Sequence, residues 1–273
     1  MNHPLFQYAI NKRREEGKKF IYHYTNVESF FLIIKSMSLR LSAFSESDDL
    51  NEANIANVDR IDDARITVSL KQYIKNRCSY LSFVEDGNTS LGEIEGTNHP
   101  RMWSQYAQKG FGVCLAIDEE RFFQINADRL DGKFYKCEPI QYKFMNGADV
   151  KLKMDYKLGC EEHLIKQYYH EFFFKKHIDW KEEHEKRLFG IDIPKYLSIY
   201  NALEFICLGP KFLYNKSTMN SLKYFISDSS FEYHGYLVPQ SFACITPYNY
   251  GYFAHDSLAV SQILQNNALQ ATL

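Results

Sequence analysis

The chain is expected to adopt an α+β fold. Three features of the sequence lead there: short stretches rich in aromatic and branched residues, longer stretches with a helical period, and no internal repeat or low-complexity tract. No clean linker interrupts the 273 residues either, so a single domain over 1–273 is the economical expectation.

Taken in order, 1–19 reads as a polar helix or arm ending in Gly17-Lys18-Lys19, and Phe20-Ile21-Tyr22-His23-Tyr24 has strand character. That strand runs into Thr25-Asn26-Val27-Glu28, a Thr-x-x-Glu capping box, followed by Phe30, Phe31, Ile33, Ile34 and Met37 at helical spacing. His23 is therefore expected at a strand end, just ahead of a helix N-terminus, where N–H groups and the helix dipole favour an anion such as a pyrophosphate. The ordinary readings, a core histidine and a plain helix cap at Thr25, are compatible with that site.

A second strand alternates over 39–44, and Glu46-Ser47-Asp48-Asp49-Leu50-Asn51-Glu52 follows as an acidic loop. Helical period over 61–77 leads into a third strand at 78–84. The stretch 85–100, with three glycines and one proline, is a loop of a length that often covers a site. Residues 101–107 form a short helix, Gly110 ends it, and 111–117 is a continuous apolar strand. Asp118 caps a helix at 119–124, and 133–144 is a strand whose Pro139 marks an edge or bulge. A long helical pattern covers about 150–177, an apolar stretch 203–208 stops at Gly209-Pro210, and Ser217 or Thr218 caps a helix to Ile226. The stretch 233–253 supplies last strands or a surface loop, and 256–273 reads as an amphipathic tail helix.

Bulk composition excludes several functions. With 34 acids against 32 bases there is no global basic field to argue for nucleic acid, although a local basic groove stays open. No apolar run reaches eighteen residues and the first twenty lack the apolar centre of a signal peptide, so a cytoplasmic protein without a membrane partner is expected. Six scattered cysteines without a Cys-x-x-Cys argue against a zinc ribbon or a disulfide framework. His163, His170, His177 and His184 recur every seven residues, about 10.5 Å along a helix and too far apart to share a metal, so no metal site is assigned. Aromatics reach 16%, with 20 Tyr and 21 Phe; most fill cores, and the surplus also suits a pocket for flat rings.

The stretch with most chemistry is Trp180-Lys181-Glu182-Glu183-His184-Glu185-Lys186-Arg187. If it is extended, Glu183, Glu185, Arg187 and Phe189 project from one face, and Arg187 can hold one carboxylate ionised while the other stabilises positive charge on a substrate. Glu182 with Lys186 and Glu183 with Arg187 are equally good helix pairs, so periodicity alone leaves the choice open. The company of the other motifs favours the strand.

Those motifs are His23-Tyr24-Thr25 before a helix, Asp49-x-x-Glu52, Met102-Trp103-x-x-Tyr106-Ala107 before a glycine-rich strand, and Trp180-x-x-Glu183-x-Glu185-x-Arg187. In this order, over roughly residues 20–230, they resemble a large bacterial family of unknown function that is itself similar to the ADP-ribosyltransferase fold of bacterial toxins. The resemblance implies a split β-sandwich core with surrounding helices, NAD as substrate, and a macromolecular acceptor, RNA, DNA or protein. A toxin or antiviral defence role, with an antitoxin or inhibitor protein as partner, is implied in the same way. By position, His23, Tyr24 and Thr25 would contact NAD. Ser82, Trp103 and Tyr106 would form the nicotinamide pocket, Glu185 would be the catalytic acid, Glu183 would activate the acceptor or orient substrate, and Arg187 would hold the pair. The imidazole and the acids are then expected to line one cleft.

Two readings from other classes compete. One is a catalytically inactive module that senses a nucleotide or binds a partner. The other is a metal-dependent nuclease or phosphodiesterase built on Asp48, Asp49, Glu52, Glu183 and Glu185.

Overall fold

The computed structural model describes residues 17–47, 63–89, 92–94, 96–144, 159–209, 211–212, 216–217, 220–221, 242–245 and 251–254. Helices and largely antiparallel strands alternate along it. The sequence readings for the acidic loop at 48–52 and the tail at 256–273 lie outside the described residues, and of the helix expected to reach Ile226 only 216–217 and 220–221 are described, as helix. The chain divides into two compact units: Met1–Ser38 with Glu85–Ile125 and Ile199–Leu273, and Leu39–Val84 with Asn126–Ser198.

In the first unit the strand Val113–Asp118 lies between Phe20–Thr25 and Leu203–Leu208, antiparallel to both. All six of its residues are buried, as a continuous apolar run should be when both faces are covered. Phe242–Ile245 runs parallel to Leu203–Leu208, and Gly251–Ala254 returns antiparallel to Phe242–Ile245.

The helix Val27–Ser36 follows the first strand as expected, but its cap is one residue later than the capping-box reading. Asn26 is the N-cap and its side chain accepts from the Ser29 N–H at 2.7 Å, while Thr25 closes the strand opposite Val113. Asparagine caps at least as well as threonine, and strand pairing claims Thr25 first. The expected Asp118 cap is present: its carboxylate accepts from the Arg121 N–H at 3.0 Å. Two glycines let backbones meet beside Thr25. A Cβ on Gly112 would lie 2.2 Å from the Thr25 carbonyl oxygen, and one on Gly209 would lie 2.3 Å from that of Gly110.

In the second unit the strand Glu185–Ile191 is central, antiparallel to Cys78–Glu85 on one side and to Phe134–Pro139 on the other. Pro139 falls at a strand end, where a missing N–H costs least. The helix Ala64–Arg77 starts on Asp63, whose side chain accepts from the Arg65 N–H, and buries Ile66, Leu70 and Ile74 at four-residue steps. The helix Glu161–Phe173 buries Leu164, Ile165, Phe172 and Phe173 into the same core, where Phe173 stacks on Phe189 at 4.0 Å between ring centres.

Several elements differ from the sequence reading. The strand expected over 39–44 is only Ser38–Arg40, and Phe44–Glu46 is a 3-10 helix. The helical pattern ends at Phe173, and His177 lies on a short strand, Lys175–His177, parallel to Gln141–Lys143. The histidine stripe is therefore broken. The stretch 85–100 also contains a small ladder, Gly87–Thr89 against Gly92–Ile94, before the chain turns at Gly96 and Thr97. Among the described residues no helix is long and apolar enough to cross a membrane.

Candidate functional site

The residues singled out from the sequence divide between the two units. Glu183, Glu185, Arg187 and Ser82 belong to the second, and His23, Tyr24, Thr25, Trp103 and Tyr106 to the first.

The acid stretch is half strand and half turn. Ile178–Glu183 is a 3-10 helix, His184 takes a left-handed backbone with φ of 47°, and the strand begins at Glu185. Glu183 is thus not on the strand face that carries Glu185, Arg187 and Phe189, and neither predicted helix pair shapes the segment. The acids still converge. Lys176 Nζ lies 3.0 Å from Glu183 Oε2 and 2.7 Å from Glu185 Oε2. The strand Lys175–His177 buries only this central residue.

Around Glu185 the bonding is dense. Arg187 donates from Nε to Oε1 at 2.8 Å and from Nη2 to Oε2 at 3.1 Å, and Ser82 Oγ donates to Oε1 at 2.6 Å. The Glu185 N–H donates to the Tyr142 hydroxyl at 2.8 Å. Arg187 uses Nη1 on the Phe173 carbonyl at 2.6 Å, and its guanidinium lies 4.9 Å from the centre of the Tyr80 ring. Lys176 sits 5.4 Å from the centre of the Trp180 ring.

Exposure decides how these charges behave: 0% for Arg187, 2% for Glu183, 4% for Glu185 and 6% for Lys176. Burial alone would raise the Glu185 pKa. The charges of Arg187 and Lys176 and their hydrogen bonds outweigh it and hold the carboxyl down, at about 2. Two carboxylates face two cations, so the cluster is formally neutral, which is how a protein interior accommodates charge. Chemically it holds a fixed carboxylate, ionised at neutral pH, with a second acid beside it.

In the first unit, His23 lies within Phe20–Thr25 opposite Leu115, two residues before the strand ends, and is the one position of that strand that is not fully buried. Tyr24 and Trp103 meet edge to face at 5.0 Å. Both are tied to the same turn: the Tyr24 hydroxyl donates to the Gly96 carbonyl at 2.6 Å, and Trp103 Nε1 to the Thr97 carbonyl at 2.9 Å. Burial, with Cys114 and Cys207 adding to it, pushes the Tyr24 phenol well above its usual value and keeps it a donor. Tyr106 is half-buried at the end of the helix Pro100–Gln105.

Ser82, grouped with the nicotinamide pocket from the sequence, is a hydrogen-bond donor to Glu185 here. Lys176 escaped sequence reasoning because Lys175-Lys176-His177 reads as a solvated basic step. The available signal was its setting between Phe172-Phe173-Phe174 and Trp180. Asp48, Asp49 and Glu52 of the metal-dependent reading lie outside the described residues. Among the described residues no group of three or more His, Cys, Asp or Glu side chains is placed to hold a metal ion.

Fold and cluster together define a mixed helix and strand protein, largely antiparallel, with two buried acids, one closing a 3-10 helix and the other opening the strand Glu185–Ile191. Residues 102–188 match a family described as protein of unknown function (DUF2971). The matched span takes in Trp103, Tyr106, Lys176, Glu183, Glu185 and Arg187, and leaves out His23, Tyr24, Thr25 and Ser82. No curated protein and no solved structure matches the chain.

Proposed function

We propose that the chain is an NAD-dependent ADP-ribosyltransferase with a split β-sandwich core, modifying a macromolecule as a toxin or defence effector. The observation that carries this reading is the Glu185 carboxylate, held ionised by Arg187 and Lys176 and oriented by Ser82. When the nicotinamide–ribose bond breaks, the bonding pair leaves with the nicotinamide nitrogen and positive charge spreads over C1′ and the ring oxygen. A carboxylate fixed before the reaction stabilises that charge without reorganising. The acceptor then forms its bond to C1′ and gives up a proton, for which Glu183 is the neighbouring base.

One observation favours a second reading. Both Glu185 oxygens are already engaged by donors, as befits an inactive nucleotide-binding or partner-binding module whose ion cluster only holds the fold. Incubation with NAD labelled in its adenylate half, together with RNA, DNA and protein fractions, separates the two. Transfer of label to one fraction, lost in Glu185→Gln, supports the transferase. Absence of both transfer and nicotinamide release supports the inactive module.

A further inference from the structure

We infer that Lys176 is the positioning residue of the acid pair: its ammonium, bonded to Glu183 and Glu185 at once, makes two carboxylates on different backbone elements act as one site. The backbone alone does not pair them. Glu183 ends a 3-10 helix, Glu185 begins a strand, and the left-handed His184 lies between. Arg187 spends two bonds on the Glu185 carboxylate and one on the Phe173 carbonyl. A compact ammonium with three donors can serve two acids at once. The Trp180 ring covers the same ammonium, which leaves it 6% exposed and unable to swing into water while the fold is intact.

The groups that face Glu185 come from every neighbouring element. Arg187 is on its own strand, Ser82 on Cys78–Glu85 and Tyr142 on Gln141–Lys143, with Lys176 on Lys175–His177 and Glu183 on the turn. Removing Lys176 leaves two acids with one cation, which raises the pKa of whichever carboxylate loses more. Removing Glu183 as well restores the balance of one acid to one cation.

The kinetic half of the test rests on Glu185 as the acid of the proposed transferase; the titration half does not. Carboxyl carbon NMR would follow the titration of Glu185 in the wild type, Lys176→Met, Lys176→Arg and the double variant Lys176→Met with Glu183→Gln. Lys176→Met is expected to raise the Glu185 midpoint by more than about one pH unit. The double variant should bring it part of the way back and melt higher than Lys176→Met, so it keeps the comparison open if the single variant folds poorly. In NAD hydrolysis, Lys176→Met should lower kcat by about 100-fold with KM nearly unchanged, and Lys176→Arg should recover part of the loss. Unchanged Glu185 titration in both Lys176→Met variants would overturn the inference, whatever the activity. A Glu185 midpoint that moves as expected in a protein that releases no nicotinamide keeps the inference and removes the transferase reading.

Discussion

The two units bury polar side chains in different ways. In the second, Lys176, Glu183, Glu185 and Arg187 satisfy one another as full charges. In the first, Tyr24 and Trp103 satisfy themselves on backbone carbonyls of one turn, at Gly96 and Thr97. The ion cluster depends on every charged partner being present, because deleting any one leaves an uncompensated charge. The aromatic turn loses only a neutral hydrogen bond at a time. Sensitivity to mutation and to pH should therefore be concentrated in the acid cluster.

The largest effect is expected from Arg187→Met. It strips Glu185 of two charge-assisted bonds and leaves the Phe173 carbonyl without its donor, a loss of about 3–5 kcal/mol for breaking a buried pair. Urea unfolding at neutral pH measures it. Arg187→Lys should recover little, since one ammonium cannot reproduce the fork. A loss under about 1 kcal/mol would mean the cluster is no more demanding than a surface pair.

Next comes pH. Glu185 has a depressed pKa in the folded protein, so its stabilising contribution is complete above the unfolded carboxyl value. It is lost as pH falls through the folded one, between about pH 4.5 and 2. The contribution is on the order of 3 kcal/mol. Urea midpoints taken down this window should fall more steeply for the wild type than for Glu185→Gln, and parallel slopes would break the comparison.

Gly209→Ala probes backbone packing in the first unit. Its Cβ would press on carbonyl oxygens of Gly110 and Gly112, which cannot rotate away, and a cost of about 1–3 kcal/mol is expected in thermal melts. The smallest effect belongs to the aromatic turn. Trp103→Phe keeps a ring against Tyr24 and deletes only the bond to Thr97, costing about 1 kcal/mol with no pH dependence below neutral.

Much of the scaffold was legible because local pattern and tertiary need agree. Ile66, Leu70 and Ile74 share a helical face, and 113–117 has no polar residue to turn outward. Where two local solutions are equally good, the sequence does not choose. Thr25 and Asn26 can both cap a helix, and the strand pairing with Val113 decides for Asn26. The acids of 182–187 suit a helix, a strand or a turn, and the decision comes from Lys176, on the preceding short strand, and from Ser82, far away in sequence. The role of Arg187 as the cation that holds a carboxylate was readable from its spacing to Glu185. The role of Lys176 was harder to read: its aromatic flanks hint at burial, but the folded core is what shows both acids on its ammonium.

The most direct measurement of the central claim is nicotinamide release from NAD by the wild type and by Glu185→Gln, run beside thermal melts of both. The account predicts steady release by the wild type, loss of at least about 100-fold in the variant, and a variant that still melts cooperatively. Release that survives unchanged in a folded Glu185→Gln protein would contradict it.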